Sequence, residues 1–337
     1  MRLHLHTYQL ELEHAFTIAH GSRTVQPTLI VELEDEGVSG YGEATATSYY
    51  GQKLDEMIER LESLRPLIES TNLRRPEALW ERLRGPLKDH PFEHCALDVA
   101  ANDLYARKLG QPLYKVWGLQ TEDLPLSNYT IGIDSKEKMA EKMAEKPWPV
   151  YKIKMGTDRD MEILRYLRER TDALFRIDAN TAWTAKQTIE RSAELEELGV
   201  EFIEQPLPPE AWLEMRSVYQ QSALPVIADE SCRREEDVER CHGHFHGINI
   251  KLMKCGGLTP ARRMIEHARQ LDMKVMVGCM TESSVGISAI AQLLPLLDYV
   301  DMDGALLLKN DPATGVCIDQ GKVYFPDKAG TGADLNR

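Results

Sequence analysis

The sequence predicts an α/β chain, a (β/α)8-type barrel preceded by an α+β part, and three observations predict it. From about residue 125, short β-branched or apolar segments alternate with helical stretches, the pattern of parallel βα units. Eight such segments follow one another, and each ends in something polar. Their ends recur about every 25 residues, which suits a barrel whose active site gathers at the C-terminal strand ends.

Taken in order, residues 2–12 alternate polar and apolar side chains. So does "TLIVELEDEGVSGYGEA" (28–44) on either side of the Asp35-Glu36-Gly37 turn, which reads as antiparallel strands. Between them "FTIAHGSRT" (16–24) reads as a polar, Gly-containing loop. Helical patterns follow at 53–69 and 76–85, and a third begins at Pro91 and ends with Gly110 as its C′ residue. The barrel strands are expected in "LSNYTIGI", "VYKIKMG", "LFRIDAN", "VEFIEQP", "PVIADES", "GINIKLM", "KVMVGCM" and "LDYVDMDG". The expected division is 1–124 for the α+β part and 125–309 for the barrel, with the Gly/Pro/Asp-rich segment 310–337 packing back on the N-terminal part.

With 42% hydrophobic and 28% charged residues, the composition is that of an ordinary soluble globular protein. A formal charge of −14 and no Lys/Arg cluster argue against nucleic acid or an anionic membrane as partners. The six cysteines are scattered without a CxxC pair, which points to a reduced compartment rather than to disulfides or zinc. No signal-peptide core and no 18-residue apolar run are present, so the cytoplasm is the expected location.

Asp178, Glu204 and Asp229 close three consecutive strands, in "RIDAN", "FIEQP" and "IADES". Adjacent strand ends are neighbours in a barrel, so the three carboxylates converge and repel unless a hard cation neutralises them. An all-oxygen set without Cys or His suits Mg2+, one ion per subunit. The alternative is three helix caps or solvated loop residues. On the preceding strand Lys152 and Lys154 alternate with Ile153 and Met155, so both lysines share a face. Lys251 stands on the strand after Asp229, and Lys254 lies beyond it with a role left open. A lysine base must be neutral, and the positive charge of the second lysine and of a nearby divalent ion, with partial desolvation, is expected to lower its pKa. The alternative is that Lys152 and Lys154 snorkel from an edge strand. A lysine on each flank of a metal-held carboxylate is equipment for 1,1-proton transfer: racemisation or epimerisation.

"KIK", "DAN", "EQP", "ADES", "KLMKCGG" and "GYGEA" together resemble the enolase superfamily, in its muconate-lactonising subgroup. The resemblance covers essentially the whole chain. It includes "ALDVAANDLYARKLGQPLYKVWG", similar to the segment that joins the family's capping domain to its barrel. This superfamily is a known case of a Lys or His base working with Mg2+, so the following roles are implied by the resemblance. Mg2+ sits on Asp178, Glu204 and Asp229, Lys154 and Lys251 are the two acid/bases, and Lys152 supports Lys154 and touches the substrate carboxylate.

The subgroup includes cycloisomerases, o-succinylbenzoate synthases, N-acylamino acid racemases and dipeptide epimerases. Asp301 and Asp303 in "YVDMDG" share a face and make a doubly anionic spot that suits a free α-ammonium group. Of these substrates a dipeptide carries one, and the Asp-x-Asp resembles the dipeptide epimerase motif. Arg23 occupies the place of the family's specificity loop, where in L-Ala-D/L-Glu enzymes an arginine pairs with the glutamate side chain. An exposed loop arginine is the alternative. Thr130, Cys279 and Met280 match substrate-lining positions, and Tyr49, Tyr50 and Gly51 fall in a second capping loop. The expectation is thus a Mg2+-dependent epimerase of a small-molecule dipeptide, L-Ala-D/L-Glu from cell-wall peptide recycling, compatible with a homo-oligomer. An N-acylamino acid racemase or o-succinylbenzoate synthase is the enzymatic alternative. A non-catalytic barrel binding an amino-acid-like ligand is the other.

Overall fold

The computed structural model describes residues 1–18 and 21–336. Strands β1 (Arg2–Ile18), β2 (Gly21–Asp35) and β3 (Val38–Thr45) form an antiparallel sheet in that order. Glu36 and Gly37, at φ 54° and 78°, make the expected tight turn between β2 and β3. The loop expected at 16–24 is instead a hairpin end: Phe16, Thr17 and Ile18 pair with Arg23, Ser22 and Gly21. Ladder bonds and β-favouring Thr17 and Thr24 carry the strands through a segment whose polarity reads as a loop. Ala19 and His20, within that expected loop, lie outside the described residues.

Helices α1 (Leu54–Glu69), α2 (Pro76–Leu83) and α3 (Pro91–Lys108) follow. Helix α3 is buried nearly throughout and lies directly beneath β3. The contact is so close that a Cβ on Gly40 would fall 2.3 Å from the backbone N of Leu104, and one on Gly42 2.0 Å from the Ala96 carbonyl oxygen. The glycines of "GYGEA" are therefore a packing requirement.

All eight expected barrel strands are present: β4 (Tyr129–Ile131), β5 (Val150–Lys154), β6 (Leu174–Asp178), β7 (Val200–Glu204), β8 (Val226–Ala228), β9 (Gly247–Ile250), β10 (Lys274–Gly278) and β11 (Tyr299–Asp301). They run parallel in sequence order, and a parallel bridge from Ser127 to Val300 joins the last strand to the first. Helices return between strands, from Lys136–Glu145 to Ser284–Ala291, so the fold is a (β/α)8-type barrel with an α+β cap.

Cap and barrel are locked by buried polar contacts. Glu43, at the end of the "GYGEA" run, accepts from Thr28 Oγ1 (2.7 Å), Ser283 Oγ (2.6 Å) and the backbone N–H groups of Ser283 and Gly286 (3.0 and 3.1 Å). It thereby caps helix Ser284–Ala291 across the domain boundary, where the positive helix end favours an anion. Burial pushes its carboxyl pKa up. Asp98 on α3 likewise accepts from the Thr259 N–H (2.8 Å) and hydroxyl (2.6 Å). The tail touches both parts. Asp334 pairs with Arg107 of α3 at 2.9 Å, and the Val316 N–H donates to Ser288 Oγ at 3.0 Å. No described helix is long and apolar enough to cross a membrane.

The close approach gives a first prediction. Gly42→Ala forces backbone apart and costs at least about 2 kcal/mol, against about 0.5 kcal/mol or less for Gly85→Ala in open space. Denaturant unfolding of the two variants reads the difference; equal stability would contradict the packing account.

Candidate active site

The barrel register brings the strand-end residues to one level. Lys154 pairs across the sheet with Asp178, and Asp178 with Glu204. Asp229 follows β8 directly. Each of Asp178, Glu204 and Asp229 offers a carboxylate oxygen, and these oxygens lie within 4.8 Å of one another in a fully buried position. No Cys or His belongs to the set.

Both faces of β5 are buried, and Lys152 and Lys154 point into the barrel at 1% and 8% exposure, so the edge-strand reading does not hold. Lys152 Nζ lies 3.0 Å from Asp178, 2.7 Å from Glu204 and 2.8 Å from Asp301. Lys154 donates to Asp178 at 2.7 Å. Across the triplet Lys251 donates to Asp229 Oδ2 at 2.8 Å, and Lys254 to Asp229 Oδ1 at 2.6 Å. The two sit on one short helical turn just past β9 and differ in outlook. Lys251 faces the cavity above the triplet, whereas Lys254 is spent on Asp229 and on the carbonyls of Asp229, Cys232 and Asn249.

Charge follows from this packing. Burial pulls the Lys152 and Lys251 pKa values down, but the carboxylates facing them outweigh it and hold both well above the ordinary lysine range. Carboxylates are the near neighbours of both side chains. Burial raises Asp178 and Asp229 as well, yet the adjacent lysines hold both below the usual carboxylate range. Glu204 is pushed up to about 7, by burial and then by the Asp178 charge. Three buried carboxylates, one resisting ionisation for want of positive charge, fit a hard divalent cation with oxygen ligands.

A cavity of about 110 Å3 opens above the triplet. Its lining brings together Lys152, Lys154, Lys251, Asp301, Asp303, Arg23, Thr130, Cys279 and Met280. Tyr49 and Tyr50 also line it. Asp301 accepts from Asn128 Nδ2 (2.7 Å) on one oxygen and from Lys152 (2.8 Å) on the other, and Lys152 outweighs burial to hold its pKa low. Asp303 accepts from the Thr130 N–H at 2.5 Å, while burial and then the Asp301 charge push it up to about 7. Its Oδ1 lies 4.0 Å from Cys279 Sγ. Burial also raises the Cys279 thiol pKa well above the ordinary range. Arg23 donates to Gln26, and burial lowers its pKa.

Some wall residues were not foreseen. Asn180 and Glu230 stand inside "DAN" and "ADES", and Thr45 and Thr47 just after "GYGEA", so motif proximity was a usable signal. Leu307, brought in by the turn after Asp303, carries no sequence signal.

Residues 4–118 match the mandelate racemase / muconate lactonizing enzyme N-terminal domain, and residues 134–337 the enolase C-terminal domain-like family. The chain belongs to the enolase superfamily. An L-Ala-D/L-amino acid epimerase of Flavobacterium johnsoniae is 55% identical over 99% of this chain and 100% of its own length. An L-Ala-D/L-Glu epimerase of Bacteroides thetaiotaomicron is 40% identical, over 98% of this chain and 87% of its own. Among solved structures, a dipeptide epimerase from Cytophaga hutchinsonii, complexed with Mg and D-Ala-L-Val, superimposes with a TM-score of 0.93. It is 28% identical over 99% of this chain and 95% of that one.

For this superfamily member the donor set predicts that Mg2+ raises the melting temperature over an EDTA-treated sample, because the ion binds the folded state alone. Glu204→Gln removes one ligand and should abolish the shift. A shift of wild-type size in that variant would contradict the assignment of Glu204.

Proposed function

We propose that this isomerase is a Mg2+-dependent dipeptide epimerase that inverts the α carbon of the C-terminal residue. The observation that carries the reading is one cavity holding cavity-facing lysines on opposite flanks of a buried carboxylate triplet, with Asp301 and Asp303 in the same wall. In this reading Asp178, Glu204 and Asp229 hold the ion. When bound, Mg2+ supplies Lewis-acid stabilisation of the negative charge that builds on the substrate carboxylate as the α proton leaves.

The protein supplies the rest. Lys154 removes or returns the proton on one face and Lys251 on the other, and Lys152 meets the substrate carboxylate from below. Asp303, with Asp301, takes the α-ammonium group, and this contact separates dipeptides from N-acylamino acids. Thr130, Cys279 and Met280 wall the dipeptide. Arg23 reads the C-terminal side chain and favours glutamate, with L-Ala-D/L-Glu from murein peptides as the substrate we favour. The relatives' names support L-Ala at the first position and range from glutamate to amino acids in general at the second. We place the reaction in the cytoplasm, and assign the cap to residues 1–124 with 310–337 and the barrel to 125–309.

Lys154→Ala and Lys251→Ala should each lower epimerisation by at least about 10^2-fold. In D2O each should lose α-proton exchange with one epimer and retain it with the other. Normal exchange of both epimers by both variants would sink the two-base assignment. Lys254→Ala, acting from outside the cavity, should leave exchange with both epimers measurable.

The ammonium contact has a pH signature. Asp303 attracts the ammonium group only when ionised, and it stands at about 7 in the free protein. Dipeptide kcat/KM should therefore fall as pH drops below about 7, approaching tenfold per unit. Asp303→Asn should flatten that limb and raise KM. If changing both Asp301 and Asp303 to Asn left dipeptide turnover intact, the ammonium contact would be refuted.

A further inference from the structure

Glu230 follows Asp229 in the loop leaving β8 and lines the cavity. It is 7% exposed, and its Oε2 is buried without a hydrogen-bond partner among the described residues. Such an oxygen carries an uncompensated desolvation penalty. Its neighbours are otherwise matched. Asp178 is paired with Lys152 and Lys154, Glu204 and Asp301 with Lys152, and Asp229 with Lys251 and Lys254. Glu230 is also outside the triplet whose oxygens lie within 4.8 Å of one another. The same wall carries a second orphaned acceptor, Asn180 Oδ1.

An unpartnered acceptor on a cavity-lining residue calls for a donor, and the site predicts a strong one. Mg2+ demands octahedral coordination and keeps several waters, and three protein carboxylates leave positions for them. Water on a dication is polarised, so its O–H groups are better donors than bulk water.

We propose that Glu230 is a positioning residue of the metal centre, accepting a hydrogen bond from a Mg2+-bound water and fixing the hydrated ion against the triplet. This inference rests on the metal-dependent reading above. It assigns Glu230 no contact with the reacting atoms.

The test is isothermal titration of Mg2+ into the substrate-free full-length protein, comparing wild type with Glu230→Gln, which keeps size and shape. The expected result is a 10- to 100-fold weaker Mg2+ affinity, the loss typical of outer-shell partners, with partial recovery in Glu230→Asp. Mn2+ serves as a second probe, its bound waters counted by proton relaxation. The water number should be the same in wild type and Glu230→Gln. Affinity within twofold of wild type overturns the inference, and so does a gain of one water in the variant, which would make Glu230 a direct ligand. Failure of the wild type to bind Mg2+ takes down this inference and the proposed function together. If the wild type binds Mg2+ without turning over dipeptides, only the proposed function falls, because the affinity comparison still decides the role of Glu230.

Discussion

Buried carboxylates and lysines at the barrel mouth neutralise one another, and the rest of the site depends on that balance. Asp178, Glu204, Asp229 and Asp301 are all buried, and none would be tolerable there alone. Lys152 is the centre, since its ammonium group touches three of the four. Lys251 and Lys254 divide the two oxygens of Asp229 between them. The arrangement is matched in charge before an ion arrives, and Glu204 at about 7 marks where more positive charge is wanted. Metal affinity, lysine protonation and substrate binding are therefore linked, because each alters the charge the others feel.

That network is useful only if the wall above it is fixed, and the cap supplies the fixing. Glu43 bonds to the loop that carries Cys279, Met280 and Thr281, while Thr45 and Thr47 continue the same strand into the cavity. One carboxylate thus sets the spacing between a cap strand and a barrel loop that both face the cavity. The two glycines before it bring β3 onto α3 and so set the height of that strand. The motif "GYGEA" joins packing and site geometry through a single run of residues.

The barrel was legible because each strand is a short apolar run ending in a polar residue at a regular interval. The triplet Asp178, Glu204 and Asp229 could be read from the same property, since parallel strands in register put their last residues side by side. The hairpin at 16–24 was misread because its residues are polar, and cross-strand pairing overrides that cue. The sequence puts Lys152 and Lys154 on one face, but only the fold shows that Lys152 touches Asp178, Glu204 and Asp301. Lys251 could be placed at the cavity from its position at the end of its strand, whereas the burial of Lys254 against Asp229 needed the fold. Leu307 enters the wall through a turn that no local pattern encodes.

The central claim is metal-dependent proton exchange at one carbon of a dipeptide. Proton NMR of L-Ala-L-Glu in D2O, with the protein and Mg2+, tests it most directly. The account predicts loss of the C-terminal α-proton signal with growth of the L-Ala-D-Glu diastereomer. The alanine α-proton should be untouched, and the whole effect should be abolished by EDTA and restored by Mg2+. Exchange that persists in EDTA, or that strikes the alanine α-proton, would contradict the account.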